Sequence, residues 1–255
     1  MELTKVRTSS HWYDQDGNPT HTVIGKNGNE RDTTVRDARQ YGLIPSVSTV
    51  LAILAKPGLD AWKQEQAIYS ALTLPRIDGE SELDYAKRIV QDAQEQSKKA
   101  MELGTAIHDA IESYCNGEVV VNELTQYILG VVDWIKENVD MSEPMKSELR
   151  LVSPVGFAGT ADLLCKLKDG RMALLDFKTQ NTKEKDDHKL KFYDEWLWQL
   201  SAYGIATKPD VLINIAISTS MHGKIDIKEW TEEQRLKGEK IFIKALSLFK
   251  EIKEL

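Results

Sequence analysis

The stretch GTADLLCKLKDGRMALLDFKTQ, Gly159 to Gln180, decides the fold. Two apolar runs flank a Lys-Asp-Gly-Arg turn, the pattern of a β-hairpin, yet they carry Asp162, Asp176 and Lys178 among leucines and a phenylalanine. An unpaired carboxylate in such surroundings is costly enough that it takes up a proton instead. The two-residue period of a strand decides between the available registers. A two-residue turn at Asp169-Gly170 sets Leu163 against Asp176 and Asp162 against Phe177, so charge and core share both faces. A three-residue loop, Lys168-Asp169-Gly170, shifts the pairing by one. Ala161, Leu163, Cys165 and Leu167 then share one apolar face with Ala173, Leu175 and Phe177. Asp162 falls opposite Asp176 on the other face, with Lys178 at the next same-side position. Gly170 supplies the left-handed conformation that such a loop requires.

Carboxylates opposed at about 5 Å between side-chain stems repel unless a proton or a cation lies between them. A hard divalent cation with oxygen ligands, Mg²⁺ or Mn²⁺, suits the pair, and Lys178 is placed to meet an anionic group beside it. A surface salt bridge at the strand ends would account for Asp162 taken alone. Three ionisable groups converging in one register point to a site.

Outward from the hairpin, ELRLV before it and VLINIAIS and IDIKEW after it read as further strands, the last as an edge strand. A helix through DEWLWQLSAYGIA separates the third strand from the fourth, and Thr231 with Gln234 caps a final helix to about Lys253. Upstream, the first 45 residues read as irregular and hairpin-like, with turns at DQDGNP and GKNGNE. PSVSTVLAILAKPG reads as a short helix stopped by Pro57-Gly58, and Leu59 to about Leu74 as a second. Ser81 with Asp84 starts a long helical stretch that Gly104 bends or breaks and Gly117 ends; Asn122 opens another. The expected class is α/β: a mixed central β-sheet flanked by helices, with a helical N-terminal extension.

Composition bounds the chemistry. A chain of 255 residues with 41% hydrophobic content is long enough for one large domain or two modest ones. Two cysteines, Cys115 and Cys165, exclude a disulfide scaffold, a four-cysteine zinc site and an iron–sulfur cluster built from one chain; both read as inert core thiols. A net charge of −7 is no general footprint for a polyanion, so nucleic-acid contact would need a local basic strip and bound cations. No apolar run has the length of a membrane span, and the start, MELTKVRTSSHWYDQDG, lacks a signal-peptide stretch. A soluble, cytoplasmic protein with no membrane partner is the expectation. No phosphate-binding glycine-rich loop with its lysine is present in the sequence, which argues against ATP use.

GTADLL, LLDFKT and QLSAY, in that order, resemble the PD-(D/E)XK nuclease superfamily in its RecB-like exonuclease branch. LGTAIHDAIE (Leu103–Glu112) is similar to the motif that precedes the catalytic core there, and PSVSTVLAIL with LDAW resembles the N-terminal part of mitochondrial genome-maintenance and related phage exonucleases. The resemblance implies a restriction-endonuclease-like core over residues 99–255, with residues 1–98 as the extension packed on it. It implies that Asp162, Asp176 and His108 hold Mg²⁺ or Mn²⁺, with the Phe177 main-chain carbonyl as a further ligand. Lys178 is the family's lysine, and Gln199 and Tyr203 match its glutamine–tyrosine motif. Glu148, on the strand before the hairpin, and Glu112, four residues after His108, are further candidates. Ala161 departs from the proline of the signature. Lys183, Lys185, Lys189 and Lys191 would track a DNA backbone, with Trp196 or Trp198 for base stacking.

The implied activity is a metal-dependent DNA exonuclease acting on single strands or duplex ends, in phage or host recombination, replication or degradation. Its location would be the host cytoplasm if the chain is phage-encoded, and an oligomer is compatible with the sequence. A structure-specific endonuclease is the alternative within the class, and a catalytically silent DNA-binding or assembly module is the alternative outside it.

Overall fold

In the computed structural model, which describes residues 10–120, 123–182 and 187–255, the chain opens with two small antiparallel pairs. Strand β1 (Trp12–Tyr13) precedes the hairpin of β2 (Thr22–Ile24) and β3 (Glu30–Asp32), whose GKNGNE turn places Gly28 at φ 79°. Helix α1 (Val35–Tyr41) follows, about two turns that the irregular reading of this region passes over. A reciprocal capping box between Thr34 and Asp37 starts it, and Arg31 grips the Asp37 carboxylate through two hydrogen bonds. Strand β4 (Ile44–Pro45) then returns to pair with β1.

Helix α2 (Val47–Leu51) is capped by Ser46 and ends well before Pro57. Pro57 does not stop a helix, contrary to the sequence expectation; it starts α3 (Pro57–Thr73). The first helical position has no use for an amide hydrogen, so proline's missing one costs nothing there. Ser81 accepts from the Asp84 amide and opens α4 (Glu82–Cys115), which runs unbroken through Gly104 and across residues 98 and 99. Gly104 neither bends nor breaks it. A Cβ at that position would lie 2.9 Å from Thr179 Oγ1, so the glycine marks a close approach of helix to sheet. Helix α5 spans Thr125–Asn138; Asn122, the expected start, lies outside the described residues.

The central sheet comprises β5 (Lys146–Ser153), β6 (Phe157–Lys166), β7 (Met172–Gln180), β8 (Val211–Ser218) and β9 (Ile225–Trp230), in that spatial order. Neighbours are antiparallel except β7 and β8, which are parallel and joined through α6 (Asp194–Thr207). Helix α7 (Glu232–Lys253) closes the chain behind a Thr231–Gln234 capping box. The result is a mixed α/β fold with helices on both sheet faces. Helices α4 and α5 bury Ile107, Ile111, Ile128, Val131 and Ile135 against Leu163, Cys165, Leu175, Phe177, Ile213 and Ile215. Helices α2, α6 and α7 bury Val50, Leu200, Tyr203, Phe242 and Leu246 against Phe157, Leu174 and Leu212. No helix among the described residues is long and apolar enough to cross a membrane.

The β6–β7 register is the shifted one: Leu163 faces Leu175 and Cys165 faces Ala173, with the loop closed by a Gly170 amide to Leu167 carbonyl bond and Gly170 at φ 95°. One expected member of the apolar face departs from it. Ala161 belongs to the core under α6 and α7, whereas Leu163, two residues on, belongs to the core under α4 and α5. Alternation therefore changes phase at Asp162. On the neighbouring strand, Ser147 pairs with Leu163 and Leu149 with Ala161, and Glu148 between them sits at φ 45°, outside the ladder. A left-handed glutamate interrupts β5 opposite the aspartate, and irregularities of this kind re-aim side chains at strand edges and sites.

Candidate active site

The ladder between β6 and β7 stops at Leu163 and Leu175. Continued by one step, the register brings Asp162 opposite Asp176, but no backbone pairing forms there. The Asp162 carboxylate takes its place, accepting the Phe177 amide hydrogen at 2.7 Å. The strands part around this carboxylate, and the opening is where the charged groups gather.

From one side comes α4. Gly104 lets the helix close on Thr179, and one turn later His108 meets Phe177 edge-on, its Nδ1 3.5 Å from Asp162 Oδ2. Burial holds His108 below the ordinary imidazole value despite the nearby Asp162 charge, so the ring is neutral at pH 7. His108, Glu112, Glu148, Asp162 and Phe177 line one small cavity together with Ser147. Burial raises Glu148 to about 7, and repulsion from Asp162, Glu112 and Asp109 adds to the effect. The cavity thus gathers more acid than it can keep ionised unaided.

From the other side comes α6. Gly159 leaves room for Tyr203, whose Cε1 would lie 2.7 Å from a Cβ there. Gln199 Nε2 donates to the Tyr203 hydroxyl at 3.2 Å, an i,i+4 contact along α6. Burial pushes the Tyr203 phenol up, so it stays protonated. Asp176 is 2% exposed beneath this helix. Its Oδ1 accepts from Lys178 Nζ at 2.7 Å and its Oδ2 from Asn214 Nδ2 at 2.6 Å. Burial raises the Asp176 carboxyl, opposed by Lys178; burial likewise pulls Lys178 down, but Asp176 and Asp162 together hold it above its ordinary value. The charged face of the hairpin is consequently not a solvent face, contrary to the sequence picture of charge kept clear of the core: Asp176 is buried, two residues along β7 from Leu174, itself part of the core under α6 and α7.

Asn214 and Trp230 escaped the sequence reading. Asn214 sits wholly buried in the middle of VLINIAIS, and its Oδ1 accepts from Trp230 Nε1 at 2.7 Å. The signal was an amide in an otherwise apolar strand, since a buried asparagine requires partners.

The remaining candidates are more scattered. Lys189 and Lys191 are exposed beyond the end of β7, where Gln180 ties the Lys191 backbone; Lys183 and Lys185 lie outside the described residues. Trp198 packs against the core, and Trp196 meets Phe192 and Tyr193 edge-on. Burial pushes Cys115 to about 11 and Cys165 to about 12, as inert core thiols require.

Among the described residues, no three His, Cys, Asp or Glu side chains stand together as a ready metal-holding group. Asp176 is engaged by Lys178 and Asn214, and Asp162 by the Phe177 amide, so each carboxylate faces an internal partner. The donor chemistry nonetheless fits a hard divalent cation: carboxylate oxygens, a neutral imidazole, and acid repulsion that a cation would relieve.

No protein-family model and no curated protein matches the chain. It is similar in structure to an alkaline exonuclease (LHK-Exo) from Laribacter hongkongensis, at 14% identity and a TM-score of 0.41 over 82% of this chain and 89% of that one. It is also similar to SSO0001, at 12% identity and a TM-score of 0.34 over 72% of this chain and 85% of that one. At these identities and TM-scores neither likeness carries a conclusion about what this chain does.

Proposed function

We propose that the chain is a metal-dependent nuclease that hydrolyses DNA phosphodiesters, acting from ends as an exonuclease. One observation carries the reading: Asp162 and the Asp176–Lys178 ion pair lie close enough to feel one another's charge where β6 and β7 part, with His108 brought against Asp162 by α4. A binding module has no use for two carboxylates and a lysine held together in a cleft of the sheet.

Asp162, His108 and Asp176 would hold Mg²⁺ or Mn²⁺, with the Phe177 carbonyl, Glu148 and Glu112 as the remaining oxygen donors nearby. When bound, such a cation supplies Lewis-acid charge that polarises the phosphodiester and stabilises the leaving oxygen. Lys178, fixed by Asp176, presents its ammonium to a nonbridging phosphate oxygen and orients the attacking water for in-line displacement. Water forms the new bond to phosphorus as the ester oxygen departs with a proton. Gln199 and Tyr203 shape the α6 side of the cleft. Lys189 and Lys191, with Lys183 and Lys185, would run along the DNA backbone.

The test is digestion of end-labelled linear DNA with Mg²⁺ by the wild type and by Asp162→Asn. Asparagine keeps an oxygen for the Phe177 amide, so the fold is retained, while cleavage should fall by a factor on the order of 10³. Undiminished cleavage by this variant would sink the assignment. Circular single-stranded DNA should resist the wild type; cutting of circles as fast as linear strands would favour an endonuclease.

A further inference from the structure

The polar chain behind Asp176 extends beyond any residue that could touch a phosphodiester. Asp176 pairs in register with Asn214 on the parallel neighbour β8, so both side chains share one sheet face under α6 and α7. On β9, Trp230 pairs with Leu212, which makes it the diagonal neighbour of Asn214 on that face. Three strands thereby contribute one continuous run: Lys178 Nζ to Asp176 Oδ1 at 2.7 Å, Asn214 Nδ2 to Asp176 Oδ2 at 2.6 Å, and Trp230 Nε1 to Asn214 Oδ1 at 2.7 Å. Asn214 Nδ2 also reaches the Asp176 main-chain carbonyl at 3.3 Å.

The direction of this run follows from the chemistry of its far end. An indole N–H can only donate, whereas a carboxamide can present either its oxygen or its amino group. Trp230 therefore binds the oxygen of Asn214 and leaves the amino group facing Asp176. Reversed, the amide would set its oxygen against the Asp176 carboxylate and its amino group against the indole donor, losing both bonds at once. Asn214 is wholly buried, so no water is at hand to repair that loss. With Oδ2 held by Asn214, Asp176 has one orientation in which Oδ1 meets Lys178.

We infer that Asn214 and Trp230 are positioning residues of the active site, a relay from the β9 edge that fixes the rotamer of Asp176 and through it the ammonium of Lys178. Neither touches substrate; each acts through the next. This inference rests on the nuclease reading for its consequence in catalysis, but not for the existence of the relay. Partners of this kind behind a functional carboxylate are worth about 10- to 100-fold in activity or metal affinity.

The experiment uses the full chain and a double-mutant cycle. Trp230→Phe keeps an aromatic ring in the core while removing the donor together with the five-membered ring that carries it; Asn214→Leu removes the amide. Each should lower kcat for Mg²⁺-dependent digestion by about 10- to 100-fold with KM for DNA unchanged. The double variant should be no slower than Asn214→Leu alone, because Trp230 acts only through Asn214. Additive losses would make both residues mere packing and overturn the proposal. Should Asn214→Leu fail to fold, Asn214→Ser closes the same cycle. A second readout does not need activity. The Trp230 indole ¹H–¹⁵N resonance, assigned by its loss in Trp230→Phe, should shift in Asp176→Asn; a resonance that ignores the charge of Asp176 would refute the relay. If the wild type leaves DNA intact while that resonance responds, the relay stands and the nuclease reading falls.

Discussion

The two ends of the β6–β7 hairpin obey different rules. At the turn end, pairing is complete from Leu163 to Lys166, and Gly170 closes a three-residue loop. Every side chain there sits where period-2 alternation puts it. At the open end, pairing stops, Ala161 turns to the other layer, and a carboxylate stands in for a backbone partner. Glu148 is pulled into left-handed backbone opposite it. The turn end is built for stability. The open end gathers partly buried charge and a left-handed glutamate, a combination of the kind found at functional sites.

The sharpest way to break that contrast is Asp176→Asn. It should abolish cleavage, by a factor on the order of 10³, and also destabilise the fold by about 3 kcal/mol, because it strips the counter-charge from a largely buried lysine. Chemical denaturation measures the second effect independently of the first. A variant that loses cleavage but keeps full stability would mean that Lys178 finds another partner. Next in size is Gly159→Ala, whose methyl meets the Tyr203 ring. Overpacking should cost about 1–3 kcal/mol and lower activity by displacing α6 from the cleft, both read on the same preparation. At the turn end, Gly170→Ala should cost about 1 kcal/mol for a left-handed backbone and leave cleavage per folded molecule unchanged. A loss of turnover from that substitution would show that the two ends are not separable.

The smallest effect concerns Glu148 and its sign is specific. Its carboxyl is raised to about 7 in the folded chain, so ionising it there is unfavourable. Stability is fully present below the unfolded glutamate value of about 4.3, and declines as pH rises through 7. Thermal melts without divalent cation should therefore show Glu148→Gln gaining on the wild type from acid to pH 8. Because Glu148 is exposed as a residue, the gain should be only a degree or two. An equal difference at pH 4 and pH 8 would remove charge repulsion as the cause.

Much of this was legible in the residues. Capping pairs at Ser81–Asp84 and Thr231–Gln234 located the starts of α4 and α7, because side-chain oxygens satisfy first-turn amides by local geometry alone. Alternation chose the hairpin register, since a one-residue slip exchanges core for solvent all along a strand. Proline was ambiguous: Pro57 reads as a stop from the left and as a start from the right, and only the following helix decides. Gly104 was ambiguous in the same way, as the reason for it lies on β7, far along the chain.

By itself, then, the sequence determined the strands of the central sheet, most of the helices, the hairpin register and the placing of two acids and a lysine around one turn of the pleat. These depend on contacts near in sequence or on strict periodicity. Tertiary structure alone decided the phase change at Asp162, the closing of α4 on Thr179, the burial of Asp176 under α6, and the line from Asp176 through Asn214 to Trp230. Each of these arises where strands and helices distant in the chain share a face, and no local period records which distant neighbour will arrive.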